Sequence, residues 1–166
     1  MTGITVLVLD RPRHADMIAA IRSTGAAVRL IDDGDVAGVI HCANPEKSGI
    51  DLYIGTGGAP EGVLAAAALR CIGGQMQTRL ILDTDEKRDR ALKMGITDPK
   101  MIYGIEDMAK GDCLFAATGV TDGSLLSGVK FRKHVIETET IVMRSVTGTV
   151  RIIKAEHRQF EKFHLD

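Results

Sequence analysis

One stretch sets the main constraint on this chain: an apolar strand that runs through glycines straight into a helix. Ile50-Asp51-Leu52-Tyr53-Ile54 is followed by Gly55-Thr56-Gly57-Gly58-Ala59-Pro60-Glu61-Gly62, and then by Val63-Leu64-Ala65-Ala66-Ala67-Ala68-Leu69-Arg70. Pro60 suits the first helical position, where its missing N–H is no loss and its φ is already helical. The glycines let the backbone approach a ligand closely, and unpaired amides at a helix start favour an anion. A carboxylate at that place, Glu61, makes sense when a divalent cation stands between it and a phosphate. The alternative is a tight strand-to-helix connection without a ligand, a common use of glycine in alternating folds. The stretch is not the dinucleotide fingerprint, because Pro60 occupies the place of that pattern's third glycine.

Apolar runs and helical patterns alternate around this stretch. Ile4 to Leu9 is a continuous apolar and β-branched run, expected as a strand buried on both faces. A helix is expected from Ala15 to Thr24 with Gly25 as its cap, a strand from Ala27 to Ile31, and a short helix from Val36 to Cys42 that stops at Asn44-Pro45. After the helix from Pro60 to Ile72, a fourth strand is expected from Met76 to Leu82 and a charged helix from Thr84 to Met94. Ile102 to Met108 reads as a turn with a short helix, and Cys113 to Thr118 as a fifth strand. His134 to Arg144 and Gly148 to His157 read as a long antiparallel hairpin, and Arg158 to Asp166 as a helical or frayed tail. The expectation is one α/β domain over residues 1–166, with a mainly parallel sheet, flanking helices in Rossmann-like order and a C-terminal antiparallel hairpin.

In such a sheet, ligands bind beyond the carboxyl ends of the strands. Four polar turns follow expected strands: Asp10-Arg11-Pro12-Arg13, Asp33-Gly34-Asp35, Gly57 to Glu61, and Thr118 to Asp122. They should share one edge. Arg11 and Arg13 flank a proline that stiffens their turn, which suits them to grip a phosphate as forked donors; the alternative is a pair of solvated charges. Asp33 and Asp35 can accept hydrogen bonds from sugar hydroxyls, or serve only as turn and cap. Asp83 stands where a ribose-binding acid would lie, although capping the helix at Thr84 explains it as well.

Composition removes several classes. The net charge of −1 over 166 residues, with four Phe, two Tyr and no Trp, leaves neither a basic footprint nor stacking platforms for nucleic acid. Cys42, Cys71 and Cys113 match no zinc spacing and no disulfide framework, which points to a reducing, cytoplasmic setting. No run is long enough to span a membrane, and the short apolar start reads as a strand, not a signal peptide. The five histidines show no metal-ligand spacing, and no Gly-x-Ser-x-Gly elbow is present.

Several segments resemble the class II fructose-1,6-bisphosphatases of the GlpX family. They are Leu9-Asp10-Arg11-Pro12-Arg13-His14, Asp33-Gly34-Asp35-Val36-Ala37 and Gly57-Gly58-Ala59-Pro60-Glu61-Gly62-Val63, joined by Gly74-Gln75-Met76, Ala117-Thr118-Gly119-Val120-Thr121 and Thr138-Glu139-Thr140. The similarity runs over nearly the whole chain but covers only about the second half of a family member, half of a sugar-phosphatase-type fold. It implies hydrolysis of the 1-phosphate of fructose 1,6-bisphosphate, with sedoheptulose 1,7-bisphosphate as a second substrate in photosynthetic relatives. It implies Mn2+ or Mg2+, with Glu61 as metal ligand and catalytic residue, and Arg11, Pro12, Arg13, Asp33, Gly34, Asp35 and Gly58 at substrate-contact positions. Arg11 departs from the lysine common at its position. The remaining ligands would lie in a missing N-terminal half or a partner chain, so this chain alone is expected to be inactive or nearly so. A half-fold should expose an apolar face, and a homo-oligomer is expected from that. Two other readings stand beside this one: a sugar-phosphate-binding module without catalysis, and a nucleotide-binding α/β domain that uses the glycine turn and Asp83.

Overall fold

The computed structural model describes residues 3–159. The chain begins with a parallel βαβ unit. Strand β1 (Thr5–Leu9) is followed by a short 3-10 turn at Pro12–His14, helix α1 (Ala15–Ser23) and strand β2 (Ala27–Ile31). Helices α2 (Asp35–Cys42) and α3 (Pro45–Ser48) lead to β3 (Leu52–Tyr53), and the glycine loop then enters the long helix α4 (Ala59–Ile72). The three strands form a parallel sheet in the order β2-β1-β3, with Leu7 opposite both Arg29 and Tyr53.

Side-chain alternation along β1 assigns the two faces of this sheet. Val6 and Val8 pack with Ile18 and Ala26 on the α1 side. Leu7 points the other way, towards Gly38 of α2, where an added Cβ would stand 3.0 Å from both Leu7 Cδ2 and Tyr53 Cδ2. Glycine thus lets α2 lie close against the sheet, at the ordinary cost of a glycine within a helix.

After α4 the architecture changes. Helix α5 (Asp85–Lys93) begins at Thr84, whose hydroxyl accepts from the Lys87 amide, and α6 (Ile105–Met108) is a single turn. Strands β4 (Leu114–Thr118), β5 (Lys130–Arg132), β6 (Val135–Arg144) and β7 (Thr149–His157) form an antiparallel sheet. Strand β6 lies between β7 on one side and β4 and β5 on the other. Its core face is closed by α4: Met143, Ile141 and Phe115 pack with Ala68 and Cys71 of α4, Ile40 of α2 and Leu126. The layers therefore run α1, parallel sheet, α2 with α4, antiparallel sheet.

Three expectations need correction. Met76 to Leu82 does not form a strand; its pairing is limited to one antiparallel bridge between Thr78 and Tyr103. The strand after Asp112 pairs antiparallel with β6, so the antiparallel part is a four-stranded sheet and not only a hairpin. Strand β5 carries no signal in the sequence pattern and forms by pairing with β6. The hairpin itself forms as read, with Ile141 opposite Ile152. Residues 160–166 of the expected tail lie outside the described residues, and Arg158 and Gln159 carry no regular structure. Among the described residues no helix is long and apolar enough to cross a membrane.

Candidate functional site

The first three polar turns come together as the parallel strands predict. Arg11 follows β1, and its Nη1 donates to Asp10 O at 3.0 Å and its Nη2 to Asp32 O at 2.5 Å, which binds the first turn to the second. Arg13 donates from Nε (3.1 Å) and Nη2 (2.8 Å) to the carbonyl of Thr56, which binds the first turn to the glycine loop. Both guanidiniums therefore organise the backbone of the site as well as bringing positive charge to it. Pro12 opens the 3-10 turn between them.

Gly34 is the N-cap of α2 with φ 84° and ψ 49°, a left-handed conformation that glycine adopts without a Cβ penalty. It turns the chain so that Asp33 is exposed and Asp35 opens the helix. Asp35 Oδ1 accepts from the Val36 amide at 2.9 Å. Its other oxygen lies against the glycine loop, 3.2 Å from where a Cβ on Gly57 would be.

Gly58 is the N-cap of α4, in extended conformation, with Pro60 in the first turn. Its lack of a side chain matters for space: a Cβ there would stand 2.3 Å from Glu61 Oε2. Glu61 thus folds its carboxylate back over the loop at the helix N-terminus, where the helix dipole favours negative charge. Among the described residues this exposed carboxylate has no hydrogen-bond or ion-pair partner. Asp35 and Glu61 stand over adjacent glycines of one loop.

The described residues include no group of three or more His, Cys, Asp or Glu side chains placed to hold a metal ion. The donor set fits one edge of a metal site, where Glu61 could serve as a ligand, and not a whole one.

Two residues were not singled out from the sequence. His14 is 1% exposed and bridges the Leu9 carbonyl and the Thr56 amide. Its signal was its place directly after Arg-Pro-Arg at a strand end. The other is Tyr53, whose hydroxyl would be 2.9 Å from a Cβ on Gly55. Burial, reinforced by the Asp35 carboxylate and partly opposed by Arg13, pushes the Tyr53 phenol from its ordinary 10.0 up to about 12. The native phenol stays neutral where the unfolded one ionises, so its contribution to stability is intact below pH 10.0 and is lost as pH rises through about 12. An ultraviolet titration should show a late phenolate step that Tyr53→Phe removes. A Tyr53→Phe titration identical to that of the parent would contradict this packing.

The remaining turn serves the fold. Asp122 pairs with Lys130 and accepts from the Gly128 amide at 2.9 Å, and the Thr118 and Thr140 hydroxyls are 2.8 Å apart. Since β4 lies in the antiparallel sheet, this turn does not extend the row formed by the other three. Asp83 is paired with Lys87 at 2.6 Å, which holds its carboxyl below the usual range, and it does not end a strand. The nucleotide reading loses its second residue there. Burial, followed by Asp51, pushes the Cys42 thiol up to about 11, and burial also raises Cys71, so neither is a ready thiolate nucleophile.

Fold and site together define an α/β protein that presents a glycine loop, a helix N-terminus, two arginines and three carboxylates at the carboxyl edge of a parallel sheet. The chain belongs to the bacterial, glpX-encoded fructose-1,6-bisphosphatase family, whose model matches residues 1–157. It is 42% identical over 167 residues to a D-fructose 1,6-bisphosphatase class 2/sedoheptulose 1,7-bisphosphatase of Microcystis aeruginosa, with 93% of this chain and 48% of that protein covered. A protein of the same description from Synechococcus sp. (strain JA-3-3Ab) is 42% identical over 170 residues, covering 95% of this chain and 49% of the relative. The chain spans about half the length of the curated relatives it matches.

Proposed function

We propose that this chain is the substrate-binding half of a class II bisphosphatase, a phosphoric monoester hydrolase that removes the 1-phosphate of fructose 1,6-bisphosphate and also accepts sedoheptulose 1,7-bisphosphate. The observation that carries this reading is the Glu61 carboxylate, without a partner among the described residues and folded over Gly58, next to the Gly57 against which the Asp35 carboxylate lies. Arg11 and Arg13 supply the positive charge for the phosphates, and Pro12 sets the turn that holds them. Asp33, Gly34 and Asp35 face the sugar, with the carboxylates accepting from its hydroxyls. Gly58 leaves room for Glu61 and lets the backbone approach the ester. Glu61 would hold Mn2+ or Mg2+, which when bound polarises the phosphoryl oxygens and lowers the pKa of a water.

Family kinship and half-length coverage support a complementary segment, in a partner chain or elsewhere in the same protein, that completes the metal ligands. Val150, Ile152 and Ile153 of β7 are about half exposed, as are Val63 and Leu64 of α4, which supports a covering partner or a homo-oligomer. The setting that goes with this activity is cytoplasmic carbohydrate metabolism, gluconeogenesis in particular. The binding module without catalysis is the second reading, favoured by the single convincing metal ligand.

Thermal unfolding in the presence of Mn2+ tests the binding step. Fructose 1,6-bisphosphate at a hundredfold excess over Kd should stabilise the chain by about 2.7 kcal/mol. NAD and ATP should leave the transition where it is. Protection by NAD or ATP with none from the sugar bisphosphate would replace this reading with the nucleotide-binding one.

A further inference from the structure

We infer that His14 is the positioning residue of the anion-binding loop: its imidazole ties the end of β1 to the Thr56 amide and so fixes where Gly57, Gly58 and Glu61 stand. This rests on the proposed sugar-phosphate reading for its consequence in binding, and on the geometry alone for its effect on the loop.

His14 is the buried member among the polar and charged side chains of the described residues, at 1% exposure. Its Nδ1 lies 2.9 Å from Leu9 O, and a carbonyl only accepts, so Nδ1 carries the proton. The Thr56 N–H donates to Nε2 at 3.0 Å, which requires a lone pair there. The two contacts therefore agree on one neutral tautomer, with neither nitrogen left over. The residue before His14, Arg13, holds the next peptide group of the loop through two hydrogen bonds to Thr56 O. Thr56 is thus clasped at both its amide and its carbonyl by two consecutive residues that lie more than forty positions earlier in the chain.

The clasp matters because of what surrounds it. Among the described residues, the hydrogen bonds of Gly55, Thr56 and Gly57 run through Thr56 alone. Glycines lose the most backbone freedom on ordering, so a loop built on them needs an external tie to hold one geometry. The loop leads directly into the first turn of α4, so its path sets the position of the helix N-terminus and of Glu61. Burial requires both ring nitrogens to be paired, and the partner of Nε2 here is an amide of the loop itself.

Two substitutions separate the halves of the clasp. In His14→Gln the amide oxygen can stand where Nε2 stood and still accept from Thr56. In His14→Asn the amide can reach Leu9 O but leaves nothing at the Nε2 position. Amide hydrogen exchange at Thr56, read by NMR, and calorimetric titration with fructose 1,6-bisphosphate and Mn2+ would be measured on the parent chain and both variants. The Asn variant should lose about tenfold in Thr56 protection and about tenfold in affinity, while the Gln variant stays within about threefold of the parent in both. Parent-like Thr56 exchange in the Asn variant would overturn the inference. So would equal losses in both variants that follow their thermal stability. If the Asn variant does not fold, the Gln variant decides: preserved Thr56 protection supports the clasp and lost protection rejects it. Should the parent chain bind no sugar bisphosphate, the functional reading fails, while exchange at Thr56 still settles the role of His14.

Discussion

Glu61→Ala is expected to abolish phosphate release from fructose 1,6-bisphosphate. The measurement needs Mn2+ and a mixture of this chain with a polypeptide matching the other half of a relative. The parent mixture should turn over, and the variant mixture should be slower by about a thousandfold, a barrier increase of about 4 kcal/mol. The size of the effect follows from what the carboxylate does in the folded chain. It has no structural partner among the described residues, so its removal costs the fold little and the site nearly everything. This chain by itself should release no phosphate above background. Release by the unassisted chain that disappears in Glu61→Ala would show a site completed without the other half. Equal rates for parent and variant mixtures would remove Glu61 from the chemistry.

Gly119→Ala should cause a large loss of stability through the loop after β4. A Cβ at Gly119 would stand 2.1 Å from Ser127 O and 2.9 Å from Ser127 C. Both are backbone atoms, so neither can swing aside as a side-chain tip would. The loop crosses itself here, with the Val129 amide donating to Val120 O and the Ser127 amide to Glu139 Oε2 at 2.6 Å. That bond is the main reason the Glu139 carboxyl sits below the usual carboxylate range. The loop also reaches the helix of the site, since His41 Nε2 on α2 is 2.9 Å from Ser124 Oγ. Urea unfolding should place Gly119→Ala about 3 kcal/mol or more below the parent. Gly123→Ala is the control: its added Cβ would meet Leu126 O at 3.8 Å, an ordinary contact, and the change should be within about 1 kcal/mol. Coincident midpoints for the two variants would mean that the crossing is not as close as described.

What could be read from the sequence was what local chemistry specifies. The bounds of β2, the helix after Gly58, and the hairpin of β6 and β7 came from runs, caps and turn residues within a few positions of each other. The candidate site residues stand out for the same reason, as Arg11, Asp33, Gly34, Asp35, Gly58 and Glu61 all sit in turns directly after strands or at helix starts. Met76 to Leu82 carries an apolar pattern suited to a strand but finds one bridge to Tyr103, because a strand exists only when a neighbour pairs with it. Leu114–Thr118 has an equally apolar pattern, which says nothing about the direction of its partner.

The sequence by itself determined the alternating βαβ start, the glycine turn into α4, and the family to which those turns belong. Propensity, capping and turn chemistry act over a few residues and survive in any reading of the chain. Only the tertiary structure decided that β4 joins an antiparallel sheet, that Arg13 and His14 grip opposite sides of Thr56, and that Glu61 folds over Gly58. The first two depend on hydrogen bonds between residues more than twenty positions apart. The third depends on the path of a loop whose glycines have almost no local preference, so that packing and distant partners choose its course.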